Sequence, residues 1–437
     1  MIAYRAGHAV RAAQFLNDVL QVAAALPAGG HVLNACADRY RFAVGFAAAL
    51  VAGKISLLPS THTAEVVRQL TQFAPDVFCL TDESDCEIDL HQVRYPDPEA
   101  TAAASWPPPS IDTEQLAAYV FTSGSTGTPL PYRKTWGRLV RCVRDGALRL
   151  GLLDGRAYSL VGTVPPQHMY GFESTVLMAL QGGAALCAER PFYAADICAA
   201  LARVPRPRIL VSTPVHLRTL VSADVPLPEV DLILSATAPL SQNLACDVEQ
   251  RFATQLQEIY GSTETGQIAT RRTAMAVEWR LWPDVHLSSQ DNQTWAAGGH
   301  VEQTTPMCDV IEITAEDRFL LHGRQADLVN IAGKRSSLAY LNHQLNAIPG
   351  VLDGAFFLQD EDPDAAVTRV AAVVVAPTLD AAALTEHLRE RIDPVFLPRP
   401  LLFLERLPRN ETGKLPREAL QSLLTRHARP RAAGEGS

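Results

Sequence analysis

Two periods of apolar residues alternate along the chain. Between residues 9 and 26, Phe15 with Val19 and Leu16 with Leu20 fall four apart, the spacing of one helical face, and Pro27, Gly29 and Gly30 end that helix. Short continuous apolar runs then recur. Val32–Ala35, Val77–Leu80, Ala117–Phe121, Ile209–Ser212 and Leu232–Ser235 read as buried strands, with amphipathic stretches such as Ala64–Phe73 between them. That alternation predicts an α/β architecture on largely parallel sheets. Residues 96–112 carry five prolines among small residues and read as a surface linker. A boundary is expected near residue 325. Beyond it Arg369–Ala376 reads as a Val-rich strand, and Asp380 caps a helix whose Leu384, Leu388 and Ile392 share one face. The predicted organisation is a large N-terminal domain over 1–324, a small α+β domain over 325–425, and a disordered tail over 426–437.

Composition narrows the function classes. Hydrophobic residues make up 47% and charged residues 19%, which suits a protein able to bury a large core. A net charge of −9 with no basic stripe argues against a nucleic-acid partner. Eight scattered cysteines form no C-x-x-C pair and read as reduced, mostly buried thiols. The N-terminal M-I-A-Y-R-A-G-H lacks the layout of a signal peptide. The run Phe46–Leu58 is short and broken by Gly53 and Lys54, so no membrane insertion is expected and the cytoplasm is the expected location.

Four segments could carry chemistry. The strand Ala117–Phe121 runs into T-S-G-S-T-G-T-P, residues 122–129, where glycines bring backbone N–H groups near a ligand and hydroxyls add donors. This is either a phosphate-gripping loop or a polar turn; it is not a Walker A loop. Y-G-S-T-E-T-G, Tyr260–Gly266, follows a helical pattern over 243–257 and a short strand Leu256–Ile259. Tyr260 could pack on a base, Thr263 could donate to a phosphate and Glu264 could hold Mg²⁺, or the segment is a turn with a solvated Glu. Arg324, in H-G-R-Q-A-D, could bind a ribose or a phosphate, or form a surface ion pair. Lys414, on a Thr-Gly turn in P-R-N-E-T-G-K, is a solvated lysine or a movable catalytic cation.

Their order and spacing together resemble the adenylate-forming superfamily, which includes acyl-CoA synthetases, adenylation domains of peptide synthetases and luciferases. The match spans roughly residues 30–420. The resemblance implies ATP and Mg²⁺ as cofactors, and a small domain that rotates between two steps. In the first, a carboxylic acid attacks the α-phosphate of ATP. In the second, a thiol attacks the acyl-adenylate. It assigns Thr122, Ser123, Gly124, Ser125, Thr126 and Gly127 to the β- and γ-phosphates, and Thr263 to the α-phosphate. Glu264 falls to Mg²⁺, Tyr260 and Gly261 to the nucleotide, Thr237 and Ala238 to adenine, and Asp309 and Arg324 to ribose. His168, in V-P-P-Q-H-M-Y-G, borders the acyl pocket with Met169, Tyr170, Phe172 and Ala236–Ala238. Lys414 bridges carboxylate and α-phosphate in the first step and swings away in the second.

Three departures stand out. Leu130 occupies the place where relatives commonly carry a lysine, so Lys134 is the expected compensating cation. Ala326 replaces a charged residue at the expected hinge, Gln325–Asp327. No carrier domain follows residue 425, so the acceptor is expected to be a separate molecule. The T-S-G-S-T-G-x-P-x-P-x-x-K-T-W and N-I-A-G-K-R-S-S-L stretches resemble small ligases of aryl-polyene and xanthomonadin-type pigment pathways. That implies loading of a hydroxybenzoate-like acid onto an acyl carrier protein. Free CoA is the alternative acceptor, and a non-catalytic nucleotide-binding scaffold the alternative class. Arg203, Arg206 and Arg208, with Arg399, Arg406 and Arg409, are candidate basic patches for either anionic acceptor, or solvated faces.

Overall fold

The computed structural model describes residues 1–96, 107–123, 129–291, 293–324, 328–331, 334–358, 369–410 and 415–428. Most of the 96–112 linker, the loop residues Gly124–Thr128, the expected hinge Gln325–Asp327, Lys414 and residues 429–437 lie outside them.

The apolar runs form two sheets. In the larger, of eleven strands, a block runs parallel in the order Leu256–Ser262, Leu232–Ser235, Arg208–Ser212, Tyr158–Gly162, Ala184–Cys187, Ala3–Arg5. The central strands of this block are mostly apolar, as expected where helices cover both faces of a parallel sheet. Antiparallel strands extend the block at both ends, among them the hairpin Asp309–Ala315 with Arg318–Arg324. The second sheet has six strands, five parallel, closed at one edge by the antiparallel strand Pro129–Thr135 on Leu116–Ser123. One core joins both sheets, from Val32, Phe46 and Leu80 through Phe172 to Ile268 and Phe319.

Helix ends follow local chemistry. Ala64–Phe73 starts where the Thr63 hydroxyl accepts from the Val66 amide, and Gln242–Phe252 where Ser241 accepts from Leu244. That second helix stops short of the predicted 257, because Ala253 turns left-handed at φ 50° and releases the chain into the strand Leu256–Ser262.

Beyond the large sheet the chain builds a separate small unit. The strands Asp353–Leu358, Val370–Val375 and Leu401–Phe403 form one sheet under helices Leu338–Asn346 and Ala381–Arg389. Its apolar clusters share no residue with those of the larger unit. Asp380 caps the second helix through the Ala383 amide. That helix ends at Arg389, and Ile392 joins the same core from the following turn. The last described helix, Arg417–Ala428, continues past the expected domain end at 425. The two units meet at Asp353, whose carboxylate takes Arg409 of its own unit at 2.8 Å and Arg218 of the larger unit at 3.1 Å.

Candidate nucleotide and acyl site

The parallel strands of the large sheet end in register. Val211 lies beside Gly162, Ser212 beside Ser235, and Ser235 beside Glu258. The segments leaving them, from Thr163, Thr213, Ala236 and Tyr260, therefore open onto one edge. In open α/β sheets ligands bind in the crevice outside the carboxyl ends of the strands.

The first segment carries His168, which precedes the single turn Met169–Gly171 and accepts the Phe172 amide on its carbonyl at 2.7 Å. This segment rests on Arg39, a wholly buried guanidinium that donates to the carbonyls of Gly162 at 2.7 Å and Val164 at 3.0 Å. Burial lowers its pKa to about 10. Tyr170 is also buried, and the loss of solvent pushes its phenol pKa up. Phe172–Leu177 then winds as a π-helix, a rare form that recurs at functional sites, and it carries Glu173 and Ser174 inward.

The second segment is the turn Ser235–Leu240. Thr237 sits at φ 78°, a left-handed conformation uncommon outside glycine and frequent at functional sites. The turn is tied down by the Leu240 amide, which donates to the buried Glu258 at 3.1 Å. Arg271 and Thr273 hold the other oxygen of that carboxylate at 2.8 and 2.7 Å. Ala238 lies on this turn beside Thr237.

The third segment differs from expectation. The strand continues to Ser262 and pairs antiparallel with Gly266–Arg271, so Tyr260 and Gly261 belong to a hairpin. A bulge falls between them, and a Cβ on Gly261 would lie 2.2 Å from the Gly266 carbonyl, so only glycine fits. Ser262 and Thr265 exchange hydrogen bonds at 3.2 Å and fix the tip that presents Thr263 and Glu264. The Tyr260 ring packs against Trp279 and Phe319, and its hydroxyl donates to Asp309 at 2.5 Å. Asp309 in turn faces Arg324 across the last rung of its hairpin. Tyr260, Asp309 and the Arg324 backbone are thus brought together.

The second sheet carries the residues predicted for the phosphates. Thr122 and Ser123 end the strand that leads into the loop; Gly124, Ser125, Thr126 and Gly127 lie outside the described residues. Leu130 stands opposite Thr122 and is half exposed. Lys134 is not solvated. It pairs with Ala118, four residues or about 13 Å back along the strand. Its side chain is buried, and Nζ donates to the Glu264 carbonyl at 3.1 Å. Desolvation lowers the ammonium pKa, opposed by Glu173, Cys142 and Glu302. The expected phosphate cation is therefore engaged beneath the Glu264 turn.

Tyr132 escaped sequence reasoning. Its phenol stands close to the Glu264 carboxylate and to Thr122, and burial followed by that carboxylate raises its pKa. The available signal was period two: Leu130, Tyr132 and Lys134 share one face of a strand. Below the turn, Glu173 accepts the Cys142 thiol at 3.0 Å. Burial pushes its pKa up to about 7 against Cys142 and Lys134. A Cβ on Gly266, at φ 74°, would meet that carboxylate at 2.8 Å. His300 is buried nearby, and burial lowers its pKa to about 3.

No group of three or more His, Cys, Asp or Glu able to hold a metal occurs among the described residues. Magnesium commonly takes one or two protein carboxylates and completes its sphere with water and substrate phosphates. Glu264, beside the loop strand, fits Mg²⁺ in that way, together with a nucleotide. Arg203 and Arg206 are paired with Glu189, Glu229 and Asp231, so that patch is neutralised where it stands. All eight cysteines are free thiols, five of them buried. No helix among the described residues is long and apolar enough to cross a membrane.

Fold and edge together describe a nucleotide-binding α/β protein. The model of the AMP-binding enzyme family matches residues 3–310, and the chain belongs to that family, within the adenylate-forming superfamily. Its class of reaction is ATP-dependent, adenylate-forming ligation of an acid to a thiol. A 4-coumarate–CoA ligase of Rhodobacter capsulatus is 29% identical over 306 residues, 69% of this chain and 75% of that protein. An L-proline–[L-prolyl-carrier protein] ligase of Pseudomonas fluorescens is 23% identical over 359 residues, 73% and 71% of the two chains. Among solved structures, o-succinylbenzoate CoA synthetase of Bacillus subtilis in complex with ATP and magnesium superposes with a TM-score of 0.78 at 18% identity, over 95% of each chain.

Proposed function

We propose that this protein activates a small aryl carboxylic acid with ATP and passes the acyl group to the phosphopantetheine thiol of an acyl carrier protein. The observation that carries the activation step is the convergence at one edge of Thr122, the Thr263–Glu264 tip, the Thr237 turn and the Tyr260–Asp309 pair. In the first step a carboxylate oxygen attacks the α-phosphorus and the bond to pyrophosphate breaks. Thr122 and the loop after it hold the β- and γ-phosphates, and Thr263 contacts the α-phosphate. Thr237 and Ala238 border adenine, while Asp309, oriented by Tyr260, and Arg324 hold the ribose. Glu264 would hold Mg²⁺ together with the nucleotide, and the ion would supply charge neutralisation on the phosphates. Lys414 adds a cation where charge develops between carboxylate and α-phosphate. In the second step the thiol sulfur attacks the acyl carbon, the bond to AMP breaks, and the thiol proton leaves to solvent. The small unit, 325–425, rotates between the steps.

The aryl reading is supported by the buried aromatics Tyr170 and Phe172, which follow His168 in the chain, and by the 4-coumarate–CoA ligase relative. That relative also favours the second reading, transfer to free CoA, while the prolyl-carrier-protein ligase favours a carrier. The test incubates the protein with ATP, Mg²⁺ and hydroxybenzoic, cinnamic and fatty acids. Holo-carrier protein or CoA is then offered in parallel, and the thioester is read by mass. An aryl-loaded carrier without acyl-CoA is the expected result. Acyl-CoA alone moves the protein to the CoA ligases, and no pyrophosphate with any acid overturns the activation step.

A further inference from the structure

The strand Pro129–Thr135 meets one residue of the hairpin tip at two points. On the face shared by alternate residues, the Lys134 ammonium donates to the Glu264 carbonyl at 3.1 Å, and the Tyr132 phenol stands close to the Glu264 carboxylate. The same strand is the second arm of the hairpin that leads into and out of the predicted phosphate loop, and Thr122 on the first arm lies on the same face as Tyr132. The strand therefore reaches both ends of the residue assigned to the metal, through a hydrogen bond at its carbonyl and through the nearby phenol at its carboxylate.

Lys134 is buried to 4% exposure in a pocket it did not need for solubility or for any surface pair. Burying an ammonium is costly unless acceptors and opposite charges surround it. Here they come from three other elements. Glu173 stands on the π-helix. Cys142, on the helix Trp136–Arg149, donates to it. Glu302 is anchored by the Thr135 amide and hydroxyl at 2.6 and 2.8 Å. The ammonium donates to a main-chain carbonyl at the one turn whose placement sets the metal carboxylate.

We propose that Tyr132 and Lys134 are positioning residues for Glu264: together they fix its carboxylate and its carbonyl against the loop hairpin, so that metal-bound nucleotide and phosphate loop are held in one frame. The proposal rests on the Glu264 metal role above. It also accounts for Leu130. The cation on this strand is used from beneath, on the protein's own backbone, and the loop-facing place is left apolar.

Partners of metal ligands typically change metal affinity or activity by about 10- to 100-fold when removed. The experiment measures ATP binding by calorimetry with Mg²⁺ and with EDTA, without acid substrate, and takes the ratio of the two dissociation constants. General structural damage weakens both and leaves the ratio. Loss of Glu264 placement collapses it. The set comprises the wild type, Glu264→Gln, Tyr132→Phe, Lys134→Met, and Lys134→Met with Glu173→Gln, which removes both buried charges and protects the fold. Ratios reduced about tenfold in the three Tyr132 and Lys134 variants, toward that of Glu264→Gln, are expected. A collapsed ratio in Glu264→Gln with wild-type ratios in the others overturns the positioning role and leaves the metal reading intact. A wild type whose affinity ignores Mg²⁺ overturns the metal reading, and this inference with it.

Discussion

Replacing Arg218 by alanine cuts the one ion pair seen between the two units among the described residues, without stranding a charge. Asp353 keeps Arg409, whose Nε and Nη2 hold its two oxygens at 2.9 and 2.8 Å. The lost contact is Arg218 Nη1 to Asp353 at 3.1 Å, with 30% and 11% of the side chains exposed. At an effective dielectric of about 20 the gross attraction is about 5 kcal/mol. Desolvation, which here lowers the arginine pKa, returns most of it. A net value of about 1–2 kcal/mol remains for such a part-exposed charged contact. The orientation seen here should therefore lose about tenfold in its balance against others, since about 1.4 kcal/mol is a factor of ten. Single-turnover assays of adenylate formation and of thiol transfer, run separately, read this as a change of several-fold in the ratio of the two rates. Arg218→Lys should fall between. If both rates drop together, or neither moves, the pair is only a stability contact and the reasoning fails.

Lys414→Ala should slow adenylate formation by about 100-fold or more while thiol transfer from preformed adenylate stays near wild type, which rapid-quench kinetics will decide. Tyr260→Phe removes the hydrogen bond that orients Asp309 and should raise the KM for ATP about tenfold with little change in kcat, an unchanged KM counting against the ribose assignment. Glu173 is buried with a pKa raised to about 7 from 4.5, so the folded state holds a proton that the unfolded chain has released. Its contribution is present below about pH 4.5 and is lost as pH rises through about 7, so Glu173→Gln should gain stability at pH 8 relative to pH 5 by on the order of 3 kcal/mol. Denaturant melts at the two pH values that show parallel losses would refute that.

The sequence was most legible where one local rule acts alone. Ala64–Phe73 and its Thr63 cap follow from helical spacing and a hydroxyl, and the parallel strands from their apolar runs. Order and spacing of motifs carried the family. What stayed hidden depends on long-range pairing. Lys134 looks like half of a surface Arg–Lys pair until the antiparallel register turns it inward onto a turn 130 residues away. The prolines at 129 and 131 disguise the alternation that would have linked it to Tyr132. Glu173 reads as an ordinary residue after an aromatic, since a π-helical turn leaves no plain pattern. Arg39 reads as the start of a helix next to its Asp38 cap, although it is the buried prop of the His168 segment.

The short N-terminal hairpin has a practical consequence. Ala3–Arg5 lies parallel against Ala184–Cys187, and His8–Val10 folds back over its outer side. Ala184–Cys187 is buried throughout, so removing the first ten residues would leave an apolar strand as a bare sheet edge, with unpaired amides ready to recruit another chain. Trimming this protein from its N-terminus for expression or fusion is thus a route to aggregation, while a tag placed before Met1 leaves the edge covered.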